Sequence, residues 1–415
     1  MPWALLLALN AATATAADDD FASLLNDGTF NASLRYRYEW VDQACCDPTF
    51  PPGSAFSKNA HASTLRTRLS FETGSWQDAL AFVEVEDVHT IFANQYNAGG
   101  GNTLSRADFP EVNDPQTTEL NQVYLDYRGF GPLQVRVGRQ RIEYGNQRFV
   151  GSVGWRQNDQ TFDAASATYT RGGLAARYGY VWKVHRIFGD DVPAGKHKQN
   201  GTHLFDVSGD LGGWGKLSGY YYYIDDQVAP AFSTASVGAR FAGQRPLGGV
   251  PLRYAVEYAY QEDAADNPAS YDADYVHVDL GVILAALDVG VGYELLSGDN
   301  DGRFVTPLAT LHAFDGWADK FIVGGTGNPP GGLEDRYVNA TYKFAEYVAE
   351  VIYHDFQSDQ GSTDYGSELD LHVGRPFGPH VRVDLYYADF MGASQLSSTD
   401  LSDTKKFWFQ LLLTL

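Results

Sequence analysis

LQVRVGRQRIEYGNQRFVGSVGWRQNDQTFD, residues Leu133 to Asp163, joins an alternating strand to a polar, glycine-broken excursion and then to the start of the next strand. Leu133, Val135 and Val137 fall on one face of the first segment and Gln134, Arg136 and Gly138 on the other, the period of two expected of a strand with unlike environments on its two sides. One face is apolar and the other carries a cation.

The same arrangement repeats along the chain. Eighteen alternating segments can be counted, the first over 29–42 and the last over 403–414, most near the 9 to 11 residues that cross a bilayer at a tilt of about 45°. Their connections alternate in length. Gly74-Ser-Trp-Gln77, Gly129-Phe-Gly-Pro132, Arg171-Gly-Gly173 and Leu284-Ala285 are short and mostly hold the Gly or Pro of tight turns, whereas 89–117 and 298–334 are long and polar. Gly243 to Pro251 breaks the rule, because it should be a short turn and reads as a nine-residue connection. Long loops at one end and short turns at the other are the mark of an all-β transmembrane antiparallel barrel with short periplasmic turns and long extracellular loops.

Composition agrees. The 415 residues hold 43 Gly, 26 Tyr and 24 Phe, and mean hydropathy is −0.30. No uncharged run reaches the roughly 18 to 20 apolar residues of a membrane helix, so a span has to be built from strands. Residues 1–17 read as a signal peptide, with an apolar core and a small-residue cut near Ala14-Thr-Ala16, and 18–415 as one barrel domain. Cys45 and Cys46 are adjacent and lack the spacing of a metal site or a redox motif, which leaves a plain loop or a vicinal disulfide open. The formal charge of −22 sits badly with an anion conduit, but acids crowd the loops (Asp190-Asp191, Glu262 to Asp266, Asp299 to Asp301) while many arginines sit within strands.

The run Val137-Gly-Arg-Gln-Arg-Ile-Glu-Tyr-Gly145, with Arg148, Gly151, Trp155 and Thr161-Phe-Asp163 after it, resembles the signature of the alginate export family of bacterial outer-membrane porins. Leu65-Arg-Thr-Arg-Leu69, Tyr293-Glu-Leu-Leu-Ser-Gly-Asp299 and Leu311-His-Ala-Phe-Asp-Gly-Trp-Ala-Asp-Lys-Phe321 extend the resemblance over most of the chain. It implies a monomeric 18-stranded barrel that passes an anionic polysaccharide or smaller organic acids. It also favours a positioned role near the pore mouth for Arg139, which breaks the parity of its strand and needs either a bulge to turn it inward or a place in the outer loop.

Parity assigns the two faces. Leu34, Tyr36, Tyr38 and Trp40, then Leu252 to Tyr260 in steps of two, then Phe407, Phe409, Leu411 and Leu413 face lipid. Arg35, Arg37, Arg66, Arg68, Arg136, Arg177, Lys183, Arg240, Arg253 and Arg382 face the lumen, beside acids that include Glu39, Glu72, Glu84, Glu86, Asp126, Glu257 and Glu294. A guanidinium fork matches a carboxylate, so these arginines read either as a relay for uronates or as partners of lumen acids that hold the wall. Tyr144, Arg148 and Trp155 either fold inward as a constriction or pack as an ordinary loop. Phe304 to Phe321 could form a short amphipathic helix or a lid.

The candidate solute pathway is thus Arg35, Arg37, Arg66, Arg68, Arg136, Arg139, Arg148, Arg177 and Arg240, serving alginate or uronate oligomers or other organic anions in a monomer embedded in outer-membrane lipid. No GxSxG, HExxH, Walker or Cys-based motif points to an enzyme, a cofactor, a metal or a nucleic acid. Ser297-Gly-Asp-Asn-Asp-Gly302 carries oxygen ligands but lacks the spacing of a calcium loop and reads as a turn. The other readings are a surface adhesin anchored by its barrel and a porin for other small solutes.

Overall fold

The computed structural model describes residues 23–43, 58–102, 106–299, 301–322, 327–393 and 401–415. The signal peptide and Cys45-Cys46 lie outside them. Eighteen strands follow in order: β1 Thr29–Gln43, β2 Ala60–Glu72, β3 Ala79–Gln95, β4 Thr117–Phe130, β5 Leu133–Gln140, β6 Thr161–Arg171, β7 Leu174–His185, β8 Lys196–Asp210, β9 Lys216–Ile224, β10 Thr234–Leu247, β11 Val250–Asp263, β12 Asp272–Leu284, β13 Leu287–Leu296, β14 Leu333–Phe344, β15 Tyr347–Gln357, β16 Asp364–Phe377, β17 Val381–Gly392 and β18 Thr404–Thr414. Each pairs antiparallel with the next, and β18 pairs with β1 from Ser33↔Thr414 to Gln43↔Thr404. Closure leaves no strand edge unpaired, which is what a hydrocarbon surrounding demands of a backbone.

The alternating outward row is the lipid face. Leu69, Val85, Leu125, Phe205, Val237, Val256, Leu280, Val291, Val338 and Leu371 are exposed large apolar residues from ten strands. A soluble protein would bury such a belt, whereas a membrane barrel presents it. Inward residues such as Arg35, Arg37 and Glu39 in β1 and Lys406 and Trp408 in β18 are buried.

Two expectations change in detail. The connection over Gly243–Pro251 shrinks to Gly248-Gly249, because β10 and β11 run on until Leu247 pairs with Val250. Positive φ at both glycines, 59° and 89°, gives the tight turn whose twist suits a hairpin, and the apparent exception disappears. In β7 a bulge between Val181 and Lys183 shifts the parity, so that Lys183 pairs with Asp163 and Val184, fully buried, continues the inward row. Lys183 is therefore not a lumen cation.

The lumen is narrowed from within. The connection 141–160 and residues 301–322 of the later long connection fold inward, and the aromatic core of the molecule lies where they meet the wall: Phe149, Phe162, Tyr222, Tyr275, Phe304, Phe321, Phe356 and Trp408 pack as one cluster. Residues 304–321 contain turns and no α-helix, and the segment folds inward. Wall side chains alone could not fill so wide a barrel, and the two loops occupy part of it.

Candidate functional site

The 141–160 loop is tied to the wall through several side chains. Arg141 reaches Glu84 (2.6 Å) and Asp159. Arg148 donates through Nε to Glu294 of β13 (2.6 Å) and through Nη2 to Asp315 of the other loop (2.9 Å). Arg156 spans Glu39 of β1 (3.1 Å) and Asp319 (2.8 Å). Gln157 accepts from Arg35 Nε (2.7 Å) and donates to Thr64 Oγ1 (2.9 Å), which stitches β1 and β2 to the loop. Trp155 lies flat against His312, 4.0 Å between ring centres, with the Arg37 guanidinium 4.2 Å from the centre of the Trp155 ring and Trp408 edge-on. Tyr144, Arg148 and Trp155 are thus all drawn inward.

Arg35, Arg37, Arg66 and Arg68 do come together, since Arg35 pairs directly with Arg66 across β1 and β2. Their surroundings differ. Arg68 is ion-paired to both Glu86 and Asp159. Arg35 is spent on the loop, donating to Gln157, to the Gly154 carbonyl (2.9 Å) and to the Arg156 carbonyl. Arg37 donates Nη2 to Gln410 (2.7 Å) and stands 3.9 Å from Asp114, too far for a hydrogen bond. Arg66, only 5 % exposed, has Nε and Nη1 without a hydrogen-bond partner and makes no ion pair among the described residues.

The remaining candidates are scattered. Arg136 grips Asp126 through Nε (2.9 Å) and Nη2 (2.7 Å) and lies 3.9 Å over the Tyr124 ring, while Arg177 bonds Asp206 (2.6 Å). Both line a cavity of about 180 Å³ with Arg141 and Tyr144. Arg240 stands apart on Glu257 (3.4 Å). Arg148 is fully buried between its two carboxylates. Arg139 is not turned inward: it pairs with Val123, an exposed apolar neighbour, and its Nε holds Asp163 (2.9 Å) in the outward row. No bulge lies between Arg139 and the regular ladder of β5 with β6, so strand parity wins.

A larger cavity of about 580 Å³ is lined by residues of the long connections and by Lys406. Four cations face it, Arg156, Arg186, Lys320 and Lys406, against the carboxylates Glu111 and Asp319. Lys406 bonds Asp319 (2.9 Å) and Lys320 bonds Thr404 Oγ1 (2.9 Å). None of the four belonged to the sequence-derived pathway. Lys406 was legible, because the parity that puts Phe407 and Phe409 outward puts Lys406 inward; the other three sit on irregular chain where parity says nothing.

The charges here are set by burial against contact. Burial disfavours the cation on Arg156, but Glu39 and Asp319 more than offset it and raise its pKa. Burial likewise opposes the Asp319 anion, and His312, Lys406 and Arg156 hold its carboxyl below the ordinary range all the same. Asp159 is lowered against burial by Arg68 and Arg141. Burial pushes the His312 imidazole down to about 4 in spite of Asp319, so at neutral pH an uncharged ring donates Nδ1–H to that carboxylate (2.7 Å).

The family described as alginate export matches residues 27–304. Solved structures of Pseudomonas aeruginosa outer-membrane proteins share the fold. OpdK with vanillate superposes with a TM-score of 0.70 at 13 % identity, covering 94 % of this chain and 99 % of that one. OccK3 (OpdO) gives 0.70 at 14 % over 97 % and 99 %, and OccK9 (OpdG) gives 0.71 at 14 % over 95 % and 99 %. No curated protein matches the chain.

Proposed function

The chain belongs to the alginate export family, as an outer-membrane porin and not an enzyme, and from that premise we propose that it is a monomeric channel for small organic anions and short uronate oligomers. The observation that carries this reading is Arg66. A buried guanidinium without a carboxylate costs several kcal/mol unless an anion comes to it, and Arg66 sits beside Arg35 and near Arg37, whose Nε and Nη1 are also without hydrogen bonds. The vestibule of four cations and two acids would gather anions before they meet that point.

Cavities of about 580 and 180 Å³ suit one or two sugar-sized rings. A long polymer would need the 141–160 loop displaced, so the resting channel favours short acids. Vanillate, the ligand named with OpdK, is itself a small carboxylate, which agrees with the size and charge proposed. Closure supports a monomer to the extent that it leaves no strand edge for a second copy to extend.

The test is swelling of proteoliposomes in isotonic solutes of matched size. Galacturonate and its dimer should enter faster than galactose and its neutral dimer. Equal rates for acid and neutral sugars would remove the role given to Arg66.

A further inference from the structure

We propose that Glu294, Asp315 and Asp335 form a binding site for a hard divalent cation, Ca²⁺ foremost, that pins the 297–332 loop to the barrel wall. Glu294 comes from β13, Asp335 from β14 and Asp315 from the loop, and one ligand oxygen of each lies within 4.8 Å of the other two. Oxygens gathered around a Ca²⁺ at roughly 2.3 to 2.6 Å have just such separations. All three side chains are at least nine-tenths buried, at 2 %, 5 % and 1 % exposure. Asp315 Oδ1 has no hydrogen-bond partner, although its other oxygen takes Arg148 Nη2. A buried carboxylate oxygen left unbound beside two further carboxylates is the feature that calls for a cation.

The surroundings are those of an oriented ligand set. Glu294 Oε1 accepts from both Arg148 Nε (2.6 Å) and the Tyr275 hydroxyl (2.7 Å), and Asp335 is held by His354 Nδ1 at 2.8 Å. Such outer contacts fix the direction of the remaining lone pairs. The neighbourhood is rich in carboxylates. Behind His354 stand Glu368 and Asp370, both buried, and the cations that bond the three proposed ligands directly are Arg148 and His354.

The donors are oxygens throughout, with His354 turned to Asp335, which selects Ca²⁺ or Mg²⁺ over softer ions. Mg²⁺ sheds its water reluctantly, and a buried site of three carboxylates suits Ca²⁺ better. The proton is the competitor, for burial together with Glu294 and Asp335 pushes the Asp315 carboxyl up even though Arg148 is bonded to it.

A bound ion would join the loop to two adjacent strands and, through Arg148, to the 141–160 loop as well. It would fix the constriction without touching any solute, so this site stands or falls separately from the choice of anion. The Ser297 to Gly302 stretch is not involved: Asp299 Oδ1 accepts from the backbone of Asp301 (2.9 Å) and Gly302 (3.0 Å), which closes a plain turn.

Terbium luminescence on the refolded full chain tests the site, with Tyr275 and Trp317 as antennae for Tb³⁺ in place of Ca²⁺. One Tb³⁺ per chain should give sensitised emission, displaced by Ca²⁺ at lower concentration than by Mg²⁺. Asp315→Asn and Asp335→Asn should each weaken binding at least about tenfold, while Asp299→Asn leaves it unchanged. Asp315 pairs with no strand, so its variant keeps the barrel whole and reads out the site even where Asp335→Asn fails to fold. Absence of sensitised emission from the unsubstituted chain, or emission that survives in Asp315→Asn at full affinity, overturns the proposal.

Discussion

Arg66→Gln is the sharpest single perturbation of the pore, because it removes a charge that no carboxylate among the described residues holds in an ion pair, although Glu86 and Asp159 stand near it. A unit charge about 6 Å from a passing anion contributes about 0.7 kcal/mol in water and about 2.8 kcal/mol at an effective dielectric of 20. A value near the middle, about 1.5 kcal/mol, corresponds to roughly tenfold in the rate of anion passage. Cations are affected in the opposite sense, so the anion-to-cation permeability ratio should fall by at least about tenfold at 0.1 M salt. Near 1 M the Debye length drops to about 3 Å and the loss should shrink. Arg66→Lys keeps the charge without the two-pronged donor and should restore part of the selectivity. Arg68→Gln is the contrast: it strips Glu86 and Asp159 of a shared partner and should lower the heat-modified gel transition, as breaking a buried pair costs about 3 to 5 kcal/mol. Permeability ratios come from zero-current potentials in planar bilayers. Should Arg66→Gln keep the ratio of the unsubstituted channel at low salt, the reasoning from its missing partner is refuted.

Acid should loosen the constriction through His312. With its pKa held near 4 when docked and about 6.5 when free, the ring binds more protons undocked, so its contribution is whole above pH 6.5 and declines as pH falls toward 4, by up to about 3 kcal/mol; current noise should rise over that window in the unsubstituted channel and stay flat in His312→Gln, and a rise on going alkaline would contradict the sign. Proteinase K added to intact cells should cut the exposed 360–363 connection and spare both the inward 304–321 segment and the Gly248-Gly249 turn at the other end; mapping the fragments by mass spectrometry checks this, and early cleavage within 304–321 would mean that the loop does not stay in the lumen.

Strand count, topology and facing were legible because they rest on a period of two repeated eighteen times and on turn chemistry at one end. Where they misled, a local irregularity was the cause. The bulge after Val181 inverts the parity of Lys183, and nothing in Val181-Trp-Lys-Val184 announces it. The arginine cluster was half legible: cross-strand adjacency of Arg35 and Arg66 follows from hairpin register, but which of four arginines is already neutralised depends on Gln157 and Asp159, which reach them only when the excursion folds inward. The constriction was the hardest part. Its ties, such as Arg148 to Glu294 and Arg156 to Asp319, join residues more than a hundred positions apart, and no periodicity marks them. The family resemblance had pointed to the same blocks, Arg148 to Trp155 and Leu311 to Phe321, without saying that they meet.

The central claim is that a closed barrel, narrowed by its own loops, conducts and prefers anions. Its most direct test is the zero-current potential of the unsubstituted protein in a planar bilayer across a tenfold KCl gradient. The sign should be that of a chloride-selective pore, more strongly so at low salt than at high. A potassium-selective sign, or a bilayer that stays insulating with the folded barrel inserted, would contradict the account.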